Sequence, residues 1–282
     1  MPEARPLAIV GPTGAGKSDV AVELALRHGV DIVSMDAMQV YRGMDIGTAK
    51  LSIAERRGVP HRCIDVRDPD EAFTAADFAA EVESVGSRAI LCGGTVFYLR
   101  AWRDPLVAAP PADAALRAAF EALPDPHARL TEVDPALAAR LHPNDRVRIV
   151  RGLEVHALTG RPLSALHAAD PKVRRPCEIV WIDRDDLFER LDARVDRMIR
   201  DGYLDEVRGL LDAGYGRGLK PMKSLGYAHL AAHLAGELSL ADAIERTKTD
   251  TRQLARKQRM FLRGLGLSPG GDPVEAGRRA LS

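Results

Sequence analysis

Eight residues near the start of the chain carry the clearest chemistry. Gly11-Pro12-Thr13-Gly14-Ala15-Gly16-Lys17-Ser18 satisfies the pattern G-x-x-x-x-G-K-[ST] in full. Glycines at this spacing let the backbone curl until successive N–H groups face one anion. The loop also opens onto a helix pattern, whose N-terminal dipole favours phosphate. Lys17 can neutralise a terminal phosphate, and Ser18 can ligate Mg²⁺. Read alone, the loop implies binding of a nucleotide such as ATP. The alternative is a Gly-rich turn that holds nothing, but the apolar run before it and the helical pattern after it are the context the motif requires.

A second group is defined by what is missing. A nucleoside triphosphatase built on this loop also needs an acid at the end of a neighbouring strand to organise Mg²⁺ and the attacking water. Here the apolar run Arg88–Cys92 ends in Gly93-Gly94-Thr95, with no carboxylate. The nearest acid at a strand end is Asp36, which closes Asp31-Ile32-Val33-Ser34-Met35. In open parallel sheets ligands bind beyond the carboxyl ends of the strands, so Asp36 and Lys17 are expected to share one cleft. Asp36 there can ligate a metal or take a proton from a nucleophile; it can equally be an N-capping residue. The polar, Gly-punctuated stretch Ala37–Lys50 is long for a connector and suits a binding loop.

The elements that must position these groups alternate. Leu7–Val10 reads as a buried strand, Lys17 to about His28 as a helix with Val20, Leu24 and Leu26 inward, and Asp31–Asp36 as a second strand. Thr74–Val85 reads as a helix with Thr74 and Asp77 in a capping box, and Arg88–Cys92 as a third strand. The pattern predicts an α/β fold, a P-loop NTPase-like parallel sheet with helices on both faces. From about Pro105 to Pro176 the chain is rich in Ala, Arg, His and Pro, which predicts a small helical insertion. The expected organisation is a first core segment over 1–112, a helical insertion over 113–175, and a second core segment over 176–282. A strand at Ile179–Ile182 returns to the core, followed by long helical patterns at about Asp186–Ala213 and Leu240–Leu265. Residues from Ser268 onward are expected to be peripheral.

With 40 basic and 40 acidic residues the chain is neutral, so a nucleic-acid partner must be met by a local basic patch. One candidate is the stripe Lys248, Arg252, Arg256, Arg259 and Arg263, which falls on one helical face opposite Ile244, Thr247, Thr251, Leu254, Phe261 and Leu265, with Gln258 the polar exception there. The plain alternative is a solvated face of an amphipathic helix. Arg146, Arg148 and Arg151 form a second candidate. Aromatics are 5%, so one base drawn into the cleft is more economical than extensive stacking. Trp102 and Trp181 read as packing residues, and His142, His156 and His167 lack metal-ligand spacing. Cys63, Cys92 and Cys177 form no C-x-x-C and fit a reducing, cytoplasmic setting. No signal-peptide pattern and no membrane-spanning run are expected, and nothing suggests an obligate oligomer, so a monomer is expected.

Taken together these blocks resemble the tRNA dimethylallyltransferase family, the IPP transferases. Gly11–Ser18 is similar to G-P-T-x-x-G-K-[ST], and Asp36–Lys50 to D-S-M-Q-V-Y-x-G-M-D-I-G-T-A-K. Pro60–Asp65 is similar to P-H-H-L-I-D, and Gly93–Ala101 to G-G-T-x-x-Y-L-R-A. His142–Asp145 with Arg151–Val155 is similar to H-P-N-D and R-A-L-E-V, and Thr251–Gln258 resembles T-R-Q-x-A-K-R-Q, all in the same order. The resemblance implies transfer of a dimethylallyl group from dimethylallyl diphosphate to the exocyclic amine of the adenosine 3′ of the anticodon, position 37 of tRNA, with release of diphosphate. It implies Asp36 as general base and Thr95 as donor to the bridging oxygen of the leaving group. Gly11, Pro12, Thr13, Gly14, Ala15, Gly16, Lys17 and Ser18 would hold the diphosphate, with Mg²⁺ on Ser18. Asp36, Ala37, Met38, Gln39, Thr95, Arg117, Val147, Arg148, Ile149, Val150 and Arg151 would meet the anticodon stem-loop, joined by Arg252 and Arg256 from the basic stripe.

Three positions depart from the family. Ala37 replaces Ser, Val147 stands where Gln is common, and Lys223 stands in Pro221–Tyr227 where Gln or Arg is common; Lys223 would serve the diphosphate as a point charge. The competing readings are an adenylate prenyltransferase, a small-molecule kinase and a non-catalytic nucleotide-binding module. The insertion and basic helix argue against the first, and the missing acid after Cys92 against the second. Asp36 and Thr95 would have no purpose in the third.

Overall fold

The computed structural model describes residues 4–104, 107–170 and 173–281. It forms two compact units, one of 1–103 with 175–282 and one of 104–174.

The first unit is built on a fully parallel five-stranded sheet. The strands are β1 (Leu7–Val10), β2 (Asp31–Ser34), β3 (His61–Arg62), β4 (Ala89–Gly93) and β5 (Glu178–Trp181), in the order β3-β2-β4-β1-β5. β1 lies between β4 and β5, with Val10 opposite Gly93 and Trp181. Every residue of β1 and β4 is buried, as the unbroken apolar runs require of strands covered on both faces. The period of two divides β1 cleanly. Leu7 and Ile9 pack with Ala21, Leu24 and Ala25 of α1 (Lys17–His28), while Ala8 and Val10 face the other layer. That layer holds α2 (Ala75–Val85) and α3 (Val96–Arg103), and further along the chain the helices Leu187–Arg200, Tyr203–Asp212, Tyr227–Leu234 and Leu240–Gly264.

The second unit contains α4 (Ala114–Glu121), α5 (Pro126–Val133), α6 (Pro135–Ala138), α7 (Arg146–Thr159) and α8 (Leu163–Ala169) around Leu130, Leu137, Ala138, Ile149 and Leu153. Its helix starts follow from local chemistry. Asp113, Asp125, Asp134 and Asp145 cap α4, α5, α6 and α7 through their carboxylates, and Pro126 and Pro135 open α5 and α6. The chain leaves and rejoins the first unit at one point. The Arg175 N–H donates to Arg103 O at 2.8 Å, and its guanidinium meets Trp102 O at 2.6 Å and Glu83 at 2.8 Å.

Several expectations are corrected. Leu26 is 42% exposed, because the inward stripe of α1 runs through Ala21, Leu24 and Ala25. The single helix expected at Asp186–Ala213 is two, α9 (Leu187–Arg200) and α10 (Tyr203–Asp212), separated by Gly202 in the left-handed region at φ 103°. A short strand, β3, pairs beside β2 where none was expected. Beyond α11 (Tyr227–Leu234) and α12 (Leu240–Gly264), the segment from Ser268 is not peripheral. It forms α13 (Pro273–Leu281), whose Ala276, Ala280 and Leu281 are fully buried with β1, β5 and α1.

Candidate active site

The loop from Gly11 to Ser18 runs from the end of β1 into α1. Gly11 has φ 151°, and a side chain there would stand 2.0 Å from Ile182 O; Gly14 at φ 80° packs on Leu191 of α9. Gly16 precedes α1 with φ 87° and has no side chain to cap it. The backbone N–H groups of Gly14, Gly16, Lys17 and Ser18 therefore have no acceptor among the described residues. Four convergent donors at a helix start form an anion cradle. Lys17 is buried and folds over this loop, donating from Nζ to Pro12 O at 2.7 Å. Burial lowers its pKa from 10.5 to about 8, with the charge of Asp36 acting in the opposite direction. The same burial pushes the Cys92 thiol up to about 11, so it stays neutral beside Lys17 and Ser18.

Asp36 sits one turn beyond β2. Its Oδ1 accepts the N–H groups of Met38 at 2.8 Å and Gln39 at 3.3 Å, while Oδ2 has no partner among the described residues. No helix follows Asp36, so it caps a bend and not a helix: one oxygen orients the carboxylate and the other is open. Thr95 is tied to the same turn. Its N–H donates to Met35 O at 3.0 Å, and its Oγ1 accepts the Ala37 N–H at 3.1 Å. With that bond made, the Thr95 hydroxyl proton remains to be donated outward. Gly93 makes the approach possible, since a Cβ there would lie 2.1 Å from Met35 O. Ala37 contributes its backbone to this clip, which leaves the missing serine hydroxyl without a part in it.

The Asp36–Lys50 block is held from α10. Glu206 accepts from the consecutive N–H groups of Asp45, Ile46 and Gly47 at 2.9, 2.7 and 3.1 Å, and from the Tyr227 hydroxyl at 2.6 Å. Lys50 is enclosed and donates to Asp65, Asp45 and Tyr41 O. Gln39 turns inward, with Nε2 on Thr48 O at 3.2 Å and Ala49 O at 3.4 Å and with Ser34 Oγ donating to its Oε1 at 3.0 Å. Much of this block is therefore internal scaffolding, and Met38 and Asp36 are the half-buried groups it presents.

Two contributors were absent from the expected site. Arg194 of α9 reaches Thr13 Oγ1 at 3.4 Å and feels the Asp36 charge; burial is the larger influence and lowers its pKa. Its signal is a cation on the inward stripe Leu187, Leu191, Arg194, Met198. Gln258 of α12 accepts the Thr13 N–H at 2.8 Å and donates to Gly94 O at 3.1 Å. It is the polar residue already out of place on the apolar face of that helix. Lys223, by contrast, is exposed at the end of a short turn, Pro221–Lys223, and makes no hydrogen bond or ion pair with the loop among the described residues.

The basic stripe changes character. Lys248 pairs with Asp196, Arg252 with Asp192, and Arg259 with Asp183 through two bonds of 2.7 and 2.8 Å. The acids come from α9 and the loop before it, so the face expected to be free is largely a helix–helix seam. Arg256 and Arg263 remain exposed, Arg256 lying 4.8 Å over the Phe188 ring. In the second unit Val147 is 83% exposed and Arg148 is exposed, pairing with Asp145. Ile149 and Val150 are buried, which the helix period dictates, so their side chains face away from any RNA on that surface. Arg117 and Arg151 both converge on the buried carboxylate of Glu154.

A parallel sheet with an anion cradle after β1, an open carboxylate after β2 and a hydroxyl after β4 defines a P-loop fold adapted to group transfer from a phosphorylated donor. A family model described as IPP transferase matches residues 39–265, and the chain belongs to that family. It is 50% identical to a tRNA dimethylallyltransferase from Geobacter metallireducens, over 90% of this chain and 88% of that one, and 46% identical to that of Geobacter sulfurreducens, over 90% and 88%. Among solved structures it resembles the full-length tRNA isopentenylpyrophosphate transferase of Bacillus halodurans, with TM-score 0.65, 35% identity and 93% and 87% coverage. It also resembles a eukaryotic dimethylallyltransferase acting on tRNA, with TM-score 0.80, 28% identity and 92% and 70% coverage.

Proposed function

We propose that this protein is a tRNA dimethylallyltransferase, which moves the dimethylallyl group of dimethylallyl diphosphate onto the exocyclic amine of the adenosine 3′ of the anticodon. The observation that carries the reading is the clip between Thr95 and Met35–Ala37, which sets a hydroxyl and an open carboxylate on one turn. In the reaction the C–O bond to diphosphate breaks with its electron pair leaving on oxygen, and the amine nitrogen bonds to the freed carbon. Asp36 Oδ2 takes the proton the nitrogen gives up. The Thr95 hydroxyl donates to the bridging oxygen as it gains charge, while the loop N–H groups, Lys17 and Arg194 hold the rest of the diphosphate. The chemistry asks for no activated water, which agrees with the absence of an acid after β4.

The donor set suits Mg²⁺, an ion that takes few protein ligands and keeps phosphate oxygens and water. Ser18 at the start of α1 would supply one hydroxyl, and the ion would neutralise charge on the diphosphate. Arg117, Val147, Arg148, Arg151 and Arg256 are the side chains proposed to meet the RNA; Arg252, held by Asp192, is left out of that set.

The test offers labelled dimethylallyl diphosphate with unmodified tRNA, AMP or ATP. Label is expected in tRNA alone; label in AMP alone overturns the reading. Asp36→Ala is expected to abolish turnover while retaining inorganic diphosphate binding, and equal loss of both would refute the role of base.

A further inference from the structure

Gln258 sits at the centre of the site without being a plausible ligand of either substrate. Both ends of its amide are engaged within the protein: Oε1 by the Thr13 N–H at 2.8 Å, Nε2 by Gly94 O at 3.1 Å. Its orientation is fixed by those partners, since a flipped amide would set donor against donor and carbonyl against carbonyl. The contact with Gly94 is close, because a Cβ at Gly94 would lie 2.4 Å from Gln258 Nε2.

The two loops it joins have different tasks. Thr13 belongs to the diphosphate cradle, one residue from the free Gly14 N–H. Gly94 precedes Thr95, which is clipped in turn to Met35 and Ala37 around Asp36. A connection therefore runs from the cradle through the two Gln258 hydrogen bonds and the Gly94–Thr95 peptide to the turn bearing the carboxylate. No other side chain among the described residues hydrogen-bonds both the loop at 11–18 and the turn at 93–95. A neutral amide, accepting at one atom and donating from the next, meets the requirement. A carboxylate would face Gly94 O with a second acceptor and bring negative charge toward the diphosphate, and an ammonium could not accept from Thr13.

We infer that Gln258 is a positioning residue for the transfer step, fixing the distance between the bound leaving group and the Thr95–Asp36 turn. This rests on the proposed prenyl transfer. Its effect belongs to the rate of transfer within the assembled complex, because misplacement of reacting groups by about 1 Å is worth up to about a hundredfold in rate. It does not belong to RNA affinity, although Gln258 lies on the helix that carries Arg252 and Arg256.

The experiment measures single-turnover transfer from labelled dimethylallyl diphosphate to saturating tRNA in wild type, Gln258→Leu and Gln258→Glu, with KM for tRNA determined separately. Transfer by wild type establishes the activity itself, so failure there counts against the proposed function and not against Gln258. With wild type active, the expected result is a single-turnover rate lower by about ten- to a hundredfold in both variants with KM for tRNA within about twofold. Gln258→Glu, the closer match in shape, carries the same readout if Gln258→Leu does not fold. A variant that is folded by circular dichroism and transfers within about threefold of wild type overturns the inference. So does a rise in KM for tRNA with an unchanged single-turnover rate, which would make Gln258 an RNA contact.

Discussion

Removing the Glu206 carboxylate tests how the loop beside the site is held. Glu206 accepts four hydrogen bonds, from the N–H groups of Asp45, Ile46 and Gly47 and from Tyr227. The Asp45 bond is exposed, and water replaces it in a Glu206→Ala protein. The other three are partly buried. At about 1 kcal/mol for each group left without a partner, the loss is about 3 kcal/mol. Glu206→Gln keeps one acceptor oxygen and presents an NH₂ to which the Tyr227 oxygen can accept, so about 1 kcal/mol is expected. For a chain of this size these losses lower Tm by roughly 6–12 °C and 2–4 °C. The effect reaches the site through Gln39, whose amide holds Thr48 O and Ala49 O while its N–H meets Asp36. Thermal unfolding followed by circular dichroism gives the stability, and steady-state kinetics gives kcat/KM for tRNA, which should fall in the order wild type, Gln, Ala. A Glu206→Ala protein melting within about 2 °C of wild type would refute the view that this carboxylate holds the loop.

Two further outcomes follow from buried charges. Lys17 loses its proton near pH 8 in the free protein, so kcat/KM for dimethylallyl diphosphate should fall about tenfold per pH unit above that point, and Lys17→Arg should move the limb out of range; an alkaline limb unchanged in Lys17→Arg assigns it elsewhere. In stability the sign is reversed: the folded pKa lies below the unfolded one, so the cost of burying the charged amine is full below pH 8 and disappears as pH rises from about 8 toward 10.5. In the second unit, burial works against the charge of Glu154, but Arg151, the Asp113 N–H and Arg117 together hold its pKa below the usual value. Glu154→Gln should destabilise that unit by about 1–2 kcal/mol in urea unfolding and raise KM for tRNA more than it lowers kcat, by releasing Arg117 and Arg151; an unchanged KM would separate these arginines from RNA binding.

What could be read from the sequence was local. The limits of α1 and α2 follow from the glycines beside Lys17 and from the Thr74–Asp77 box, both of which act within four residues. Gly11, Asp36 and Thr95 follow apolar runs that read as strands, which puts them at the carboxyl end of one parallel sheet. Tertiary partners could not be read that way. The acids that tie Lys248, Arg252 and Arg259 to the neighbouring segment, Asp196, Asp192 and Asp183, are more than fifty residues away along the chain, so a free basic face and a packed seam share the same helical pattern. Gly202 interrupts a stretch whose apolar period continues on both sides, which concealed the break between α9 and α10. The buried alanines of α13 follow Ser-Pro-Gly-Gly-Asp-Pro, a composition that signals a loop, and only their fit against β1 and β5 makes them core.

The neck at Arg103 and Arg175 has a consequence for how such a chain can change over time. The two crossing segments are stapled to each other and to Trp102 and Glu83, so the first unit is closed on itself where the insertion begins and ends. Closing a loop twice as long costs only about 0.6 kcal/mol more. Helices between these two arginines can therefore be lengthened, pruned or exchanged at little expense to the catalytic frame. The inserted helices are free to vary at a tempo of their own, while the sheet and its loops stand still.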